Sequence, residues 1–477
     1  MTQYEPVIGL EAHVQLATRS KLFCACPTGF GAPPNSRVCP VCLGHPGVLP
    51  VPNREAISLA IRMGLALGCE IAPTSVWSRK NYFYPDLPKG YQITQYDQPI
   101  CAGGSLAIHL EDGAKDVRRI ALTRIHLEED AGKSKHPEQS GEMHTLIDLN
   151  RAGTPLIEIV SEPDLRSAEE AVAYLMALRQ LVQYTGVGDG NMEEGNFRCD
   201  ANVSVRPVGQ ERLGSRVELK NINSFRFVER GIRYEIERQI VEVEAGRAVE
   251  QETRLWDVQA ERTRPMRGKE DAQDYRYFPE PDLPPLVIDP AWIGAMRASM
   301  PELPEARRQR FVEQYALPAS DADVLTQTRA LADYFEEVAR SAGDARSSAN
   351  WVRGDLLARW SKGDPPVPAA RLADLLVLVR DGVLSVRLAK EAFEEMCETG
   401  DAPAEIVARH GWTMVADEDA LQLLVDQVLR DHPAEVAAFR DGKDKLFHFF
   451  AGQARKVSRG QADPVRLKEL LERALRG

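Results

Sequence analysis

Arg124-Ile-His-Leu-Glu-Glu-Asp-Ala-Gly-Lys133 is the stretch from which the fold of this chain can be worked out. In an extended strand, successive side chains point to opposite faces. One face then carries four polar side chains, namely Arg124, His126, Glu128 and Asp130. The other face carries Thr123, Ile125 and Leu127. We therefore predict a strand that buries one face and lines a polar site with the other. An ordinary solvated strand is the alternative.

The same division into an apolar and a polar face recurs in four further segments, residues 7–15, 155–160, 198–206 and 216–220. An antiparallel sheet with helices packed on one side gathers such polar faces into one basin. The sequence therefore predicts an α+β protein with a mainly antiparallel sheet. Strand patterns stop near Pro290, so an all-α helical domain and a small α-helical tail domain should follow. The predicted domains are residues 1–292, 293–403 and 404–477.

Acids and one histidine on the predicted polar faces indicate a site for Mg²⁺ or Mn²⁺, since hard oxygen ligands suit these ions. The predicted ligands are Glu11, His13, Glu128 and Glu158, with Asp200 and Glu218 completing a second magnesium position. Magnesium held by few protein ligands usually shares its coordination with phosphates. The basic residues placed to neutralise phosphate charge are Lys133, Arg151, Arg198 and Lys220. A phosphate-loop motif and the protein-kinase signatures are missing from the sequence, so ATP, if used, should bind on the open sheet through the metal. The acids and basic residues together predict a metal- and nucleotide-using transferase or ligase.

Two close cysteine pairs follow the first strand. Cys24 and Cys26 are separated by twelve residues from Cys39 and Cys42, across a loop rich in glycine and proline. Four thiolates fill a tetrahedral zinc site and leave no position for a substrate, so we predict a structural Zn²⁺. A redox-active pair is the alternative.

Composition excludes some classes of protein. The chain has 477 residues, a formal net charge of −12 and no apolar run as long as a membrane span, so we expect a cytoplasmic protein without membrane contact. The C-terminal end differs from the rest in charge: residues 440–476 contain ten Lys or Arg against five Asp or Glu. This local excess of +5 predicts nucleic-acid contact, with a solvated helical face as the alternative.

An aromatic segment, residues 79–91, is predicted to be an ordered loop, because its prolines exclude a long helix. Its lysines, Lys80 and Lys89, could be surface lysines or site residues on composition alone. A second aromatic segment, residues 261–285, is predicted to be an ordered strap over the basin.

Five long motifs resemble one family, the B subunit of the aspartyl/glutamyl-tRNA amidotransferase. They are residues 6–15, 79–86, 126–134, 149–158 and 274–282, and the resemblance covers essentially the whole chain. It implies a glutamine-synthetase-like cradle that uses ATP to phosphorylate the side-chain carboxylate of tRNA mischarged with glutamate or aspartate. Ammonia then displaces the phosphate.

The resemblance also implies partners and residue roles. Ammonia is expected from a separate amidase (glutaminase) subunit through a channel, with a small third subunit joining the two in a heterotrimer. The family's metal ligands match His13, Glu128 and Glu158, with Glu11 beside them, and its channel-mouth residues match Lys80, Tyr82 and Lys89. A zinc-ribbon tRNA-binding module without catalysis, or a metal-dependent kinase for a small molecule, would be the competing functions.

Overall fold

The computed structural model describes residues 3–110, 117–135, 145–266, 275–360, 363–412, 418–458, 462 and 464–476. The chain divides into two compact units, Met1–Ala306 and Arg307–Gly477. The first unit is sheet-rich and the second is helical, so the predicted α+β class is confirmed.

All strands of the described residues lie in the first unit. In chain order they are β1 (Tyr4–Gln15), β2 (Glu70–Ile71), β3 (Thr74–Ser75), β4 (Trp77–Asn81), β5 (Tyr91–Gln95), β6 (Cys101–Ala102), β7 (Ser105–His109), β8 (Val117–Glu129), β9 (Lys133–Lys135), β10 (Leu146–Asp148), β11 (Pro155–Ser161), β12 (Phe197–Pro207), β13 (Val217–Lys220), β14 (Glu252–Asp257), β15 (Arg262–Pro265), β16 (Phe278–Pro279) and β17 (Leu286–Val287). The main sheet has the order β15-β14-β13-β12-β1-β11-β8-β6-β2, and β7 pairs with β8. Its pairs are antiparallel except β13 with β14, which is parallel. The long strands β1, β8, β11 and β12 are therefore neighbours at its centre.

Helices cover the apolar face of this sheet. They are α1 (Arg54–Ala66), α2 (Ala168–Thr185) and α3 (Phe225–Glu244), and a fourth helix, α4 (Pro290–Ala298), packs against α1. On β1 the residues at even positions from Ile8 to Val14 are at most 1% exposed and share one hydrophobic core with residues of α1, α2 and α3. Complete burial of one large aliphatic side chain is worth about 1.5–3 kcal/mol. The predicted period-2 burial of this strand is confirmed.

The ends of these helices follow from single residues. The Asn53 side chain accepts hydrogen bonds from the amides of Glu55 and Ala56, and this cap fixes the start of α1. Ser167 caps α2 in the same way, and α2 ends at Gly186, whose φ of 68° is readily adopted only by glycine.

The structure differs from the predictions in two strand regions. Thr123 is exposed, because a bulge opposite Val160 and Ser161 inserts one extra residue into β8 and shifts the alternation there. The predicted loop at 79–91 begins and ends in strands, since β4 and β5 pair with each other and leave only residues 82–90 as a loop. In the predicted strap, β16 pairs with β4, whereas residues 267–274 lie outside the described residues.

The second unit consists of helices. Beginning with the helix that enters it from the first unit, they are α5 (Pro304–Tyr315), α6 (Ala319–Leu325), α7 (Arg329–Ala342), α8 (Ala345–Trp351), α9 (Leu357–Arg359), α10 (Ala369–Arg380), α11 (Val386–Thr399), α12 (Pro403–His410), α13 (Glu418–Asp431), α14 (Pro433–Arg440), α15 (Leu446–Val457) and α16 (Pro464–Arg476), with a π-helical turn, Val352–Leu356, between α8 and α9. Two hydrophobic clusters form, one from Phe311 to Ile406 and one from Leu421 to Leu475. The predicted limits 1–292, 293–403 and 404–477 stay predictions. None of the described helices has the length and apolar character needed to cross a membrane.

Candidate functional site

Strand register places the polar side chains in rows across the centre of the sheet. His13 of β1 lies directly opposite Glu158 of β11 and Arg198 of β12, and Glu158 lies opposite His126 of β8. Residues directly opposite on antiparallel strands point to the same face. One row is therefore His126, Glu158, His13 and Arg198, and the next row contains Glu11 opposite Asp200.

The first cluster is formed by His13, Glu128 and Glu158, whose donor atoms all lie within 4.8 Å of one another. His13 Nε2 is 3.5 Å from Glu128 Oε1 and 3.5 Å from Glu158 Oε2. Both carboxylates are buried, at 3% and 9% exposure. Buried carboxylates that converge with an imidazole on one point suit a divalent cation, so this donor set fits the predicted Mg²⁺ or Mn²⁺.

His126 is a fourth member of this cluster, and the sequence prediction did not include it among the ligands. Its Nε2 is 3.2 Å from Glu158 Oε2 and 3.8 Å from Glu128 Oε2, and the residue is 4% exposed. The signal for it was its position on the same strand face as Glu128, two residues away.

Electrostatics within the cluster oppose the effect of burial. Burial alone would raise the pKa of Glu158, but His126 and His13 hold that pKa well below its usual range. Burial alone would lower the pKa of His126, yet Glu158 and Glu128 raise it to about 9. The pKa of His13 is raised in the same way, chiefly by Glu158. The two acids of the cluster thus favour the protonated form of both histidines.

A second cluster lies beside the first and consists of Glu11, Asp200 and Glu218. Lys220 Nζ lies 2.8 Å from Asp200 Oδ2 and 3.0 Å from Glu218 Oε1. The lysine therefore neutralises part of the negative charge of this second cluster. Burial, followed by the charge of Glu158, raises the pKa of Glu11. The structure thus groups Glu11 with the predicted second magnesium position rather than with His13.

The predicted phosphate-binding arginines share one buried acid. Asp130, 3% exposed, lies 2.9 Å from Arg198 Nη2 and 3.4 Å from Arg151 Nε. Arg151 also donates to the backbone carbonyls of Ala131 and Gly132. Asp130 was predicted to lie on the polar face but was given no role, and it is the residue that holds both arginines beside the basin.

The remaining predicted lysines, Lys80, Lys89 and Lys133, each contact a different set of residues. Lys80 Nζ lies 4.8 Å from the Tyr275 ring centroid and 5.9 Å from that of Tyr82. Lys89 forms an ion pair with buried Glu129. Lys133 Nζ lies 5.0 Å from the ring centroid of Phe30, so the structure places this lysine against the cysteine loop.

The cysteine cluster is separate from both acidic clusters. The sulfur atoms of Cys24, Cys26, Cys39 and Cys42 all lie within 4.8 Å of one another, and all four are free thiols. The Cys39 amide donates to Cys42 Sγ at 3.2 Å. A hydrogen bond from Cys24 is the largest cause that lowers the pKa of Cys42 to about 4. Four convergent sulfurs, one already favoured as a thiolate, fit the predicted zinc.

Comparisons with known proteins cover the whole chain. The family profile described as GatB/GatE catalytic domain matches residues 6–294, and the profile described as GatB domain matches residues 333–475. The chain is 54% identical to the B subunit of the aspartyl/glutamyl-tRNA(Asn/Gln) amidotransferase of Geotalea daltonii, over 100% of both chains. Proteins of the same name from Nitrosococcus oceani and Myxococcus xanthus are 55% and 53% identical, each over 99% or more of both chains.

Proposed function

This chain belongs to the family of aspartyl/glutamyl-tRNA(Asn/Gln) amidotransferase B subunits, and we propose that it carries out the ATP-dependent amidation step itself. The substrate is Glu-tRNA(Gln), Asp-tRNA(Asn) or both, and the products are Gln-tRNA and Asn-tRNA. The reaction makes the protein a ligase that forms carbon–nitrogen bonds. The observation that carries this proposal is the buried His13, Glu128 and Glu158 cluster on the polar face of the sheet.

The acidic clusters are proposed to hold Mg²⁺. His13, Glu128 and Glu158 would ligate one ion, with His126 positioning Glu158. Glu11, Asp200 and Glu218 would ligate a second. When bound, Mg²⁺ supplies positive charge that offsets the phosphates of ATP. Arg151 and Arg198, fixed by Asp130, and Lys220 are placed to add positive charge beside the same basin.

The chemistry has two steps. A carboxylate is a poor acyl donor, so one of its oxygen atoms first attacks the γ-phosphorus of ATP, the bond to the leaving oxygen breaks, and ADP departs. Ammonia then attacks the carbon of the acyl phosphate, phosphate leaves with the bonding electrons, and a proton is lost from nitrogen. The protein's contribution is to position the two reactants and to neutralise charge on the transferring group.

Ammonia is proposed to come from the amide of glutamine, hydrolysed by an amidase partner subunit, with a small linker subunit completing the assembly. Lys80, Tyr82 and Lys89 are proposed to lie at the mouth of the ammonia channel. Their partial burial and their contacts with Tyr275 and Glu129 support a defined structure at this place. The cysteine cluster is proposed to bind a structural Zn²⁺, and residues 404–477 to contact tRNA.

The experiment that tests the proposal is an amidation assay on mischarged tRNA. The chain, assembled with its amidase partner, is supplied with ATP, Mg²⁺ and either Glu-tRNA(Gln) or Asp-tRNA(Asn). We expect ATP-dependent Gln-tRNA or Asn-tRNA. Tight tRNA binding without ATP-dependent product would instead favour a non-catalytic binding module.

A further inference from the structure

Lys21 is a fully buried lysine beside the cysteine cluster. Its relative exposure is 0%, although lysine is among the residues that are almost never fully buried without a partner. Its Nζ lies 3.5 Å from Cys42 Sγ and 3.5 Å from the backbone carbonyl oxygen of Leu149. A buried ammonium without an opposite charge is costly, so the position of this side chain requires an explanation.

No carboxylate of the described residues supplies the opposite charge, since none lies within 4.0 Å of Lys21 Nζ. Two acids border the same pocket: Asp282 Oδ2 lies 3.5 Å from Arg79 Nη2, and Glu129 is also engaged elsewhere. It forms an ion pair with Lys89 and accepts a hydrogen bond from the amide of Ile93 at 2.9 Å. The cysteine sulfurs are therefore the anionic groups available to Lys21.

The backbone fixes Lys21 in this place. Its amide donates to the carbonyl oxygen of Cys26 at 3.0 Å, and its own carbonyl accepts from Asn53 Nδ2 at 3.3 Å. The first bond joins Lys21 to the cysteine loop and the second joins it to the cap of α1. Gly153 packs against the aliphatic stem, since a Cβ built on Gly153 would lie 3.5 Å from Lys21 Cδ and 3.5 Å from Cys42 Cβ.

We infer that Lys21 is the counter-charge of the four-cysteine site and strengthens its zinc binding. Four thiolates around a divalent cation carry a net charge of −2, and a neighbouring ammonium reduces this to −1. The ammonium donates a hydrogen bond to the Cys42 sulfur, and groups that hydrogen-bond to metal ligands stabilise the bound state. Lys21 acts through Cys42 and is thus a positioning residue. This inference rests on the zinc site proposed above and is independent of the amidation reaction.

The test compares zinc affinity in Lys21→Met with the unaltered chain, by competition with a chromophoric chelator. Methionine retains much of the stem and removes the charge. We expect affinity to fall roughly 10- to 100-fold, the usual cost of removing a partner of a metal ligand. Arg19→Met is the control, because Arg19 is an exposed cation two residues away whose loss should leave zinc affinity unchanged. Where Lys21→Met does not fold, Lys21→Gln carries the same measurement.

Two further readouts separate a counter-charge from mere packing. In cobalt(II)-substituted protein, loss of the hydrogen bond should shift the sulfur-to-metal charge-transfer bands of Lys21→Met but not those of Arg19→Met. Lys21→Met should lose more resistance to urea with zinc bound than after zinc is removed, since the four thiolates of the zinc site carry more negative charge than the single Cys42 thiolate of the zinc-free site. Zinc affinity of Lys21→Met within twofold of the unaltered chain, or equal destabilisation with and without zinc, would overturn the inference. A chain that binds no zinc at all would overturn the zinc site itself.

Discussion

His13 Nε2 lies 3.5 Å from Glu158 Oε2, and the two residues are direct partners across β1 and β11. This pairing sets the geometry of the basin, because His126 on the far side of Glu158 and Arg198 on the far side of His13 occupy the same row. A small change in strand register would move every member of the row to a different partner. Such a change would also remove the apolar side chains of these strands from the hydrophobic core, so the packing of the apolar face holds the register of the site.

Metal affinity of the first cluster should depend on pH. Burial opposes protonation of His13, but Glu158 and Glu128 raise its pKa above the ordinary histidine value, so His13 keeps its proton to higher pH than a free imidazole does. A histidine that ligates a metal must be neutral, so metal binding to protonated His13 releases a proton. We expect Mn²⁺ to bind more tightly as the pH rises from about 6 to about 8, on either side of the ordinary histidine pKa. Calorimetry in buffers of different ionisation enthalpy measures both the affinity and the proton release.

The contradicting result is Mn²⁺ affinity that stays constant over this pH range. His13→Asn serves as the control, since it retains a polar side chain of limited size but removes the titrating ligand. Its residual Mn²⁺ binding should be weaker and should show less proton release.

Lys220 should compete with a cation at the second cluster. Its ammonium, 2.8 Å from Asp200 and 3.0 Å from Glu218, neutralises acids that would otherwise repel one another. Lys220→Met should therefore tighten Mn²⁺ binding at Glu11, Asp200 and Glu218 several-fold while lowering the stability of the metal-free protein. The measurement is made in a His13→Asn background, which isolates the second cluster. Unchanged or weaker Mn²⁺ binding would show that this cluster is held together for structure alone.

The cysteine site should be structural. Cys24→Ser should lower zinc content and the melting temperature, because a four-thiolate site contributes its binding free energy to folding. Amidation per folded molecule should persist, since the cluster is distinct from His13, Glu128 and Glu158. Metal analysis and thermal unfolding provide the measurements, with Cys397→Ser, a free cysteine outside the cluster, as the control. Full zinc retention in Cys24→Ser would contradict the assignment.

The C-terminal end should contribute to tRNA binding through charge. Residues 440–476 have an excess of five positive charges. Ile406 is buried in the first hydrophobic cluster of the helical unit, so a truncation that starts at residue 418 spares that cluster. Its tRNA affinity should fall and become less dependent on salt, because fewer phosphate contacts release fewer counterions. ATP hydrolysis in the cradle should be retained.

A charge variant tests the same prediction without truncation. Lys443, Lys445, Arg455 and Lys456 are exposed, and replacing all four with glutamine leaves the apolar residues in place. Unchanged tRNA affinity and salt dependence in both variants would mean that the basic end is simply solvated.

The sequence predicted which face of the sheet a side chain occupies more successfully than which residues lie beside it on adjacent strands. Alternation along β1 predicts that Glu11 and His13 lie on the face opposite to Leu10 and Ala12, because this pattern is local. Whether Glu11 joins His13 or Asp200 depends on which strand lies beside β1 and in what register, and those are long-range properties. The bulge that exposes Thr123 is equally invisible, since nothing in its residue type distinguishes it from an inward-facing threonine.

Three residues could not be given their roles from the sequence, because their partners or their burial depend on tertiary structure. His126 and Asp130 were recognised as polar-face residues, but their partners come from β11, β12 and the segment before β11. Lys21 precedes the first cysteine pair, and its sequence gives no sign of burial because lysine is normally found at the surface. Its complete burial depends on the packing of Gly153 and Cys42 around its stem.

The central claim is that the acid-bearing face of the sheet phosphorylates the tRNA-linked carboxylate. Glu128 is 3% exposed, lies 3.5 Å from His13, and has its pKa held below the usual range by His126 and His13 against the effect of burial. Glu128→Ala removes one proposed metal ligand but no residue of the apolar core. Glu55→Ala, at an exposed position on α1, is the matched control.

The most direct measurement is amidation of mischarged tRNA with ammonium chloride, at saturating Mg²⁺ and ATP, with an inactive amidase partner in the assembly. Free ammonium replaces the missing ammonia source, so the unaltered chain and Glu55→Ala should form Gln-tRNA or Asn-tRNA. Glu128→Ala should bind tRNA normally and form neither the acyl phosphate nor the amide. Amidation by Glu128→Ala at the rate of the unaltered chain would contradict the assignment of the active site to this face of the sheet.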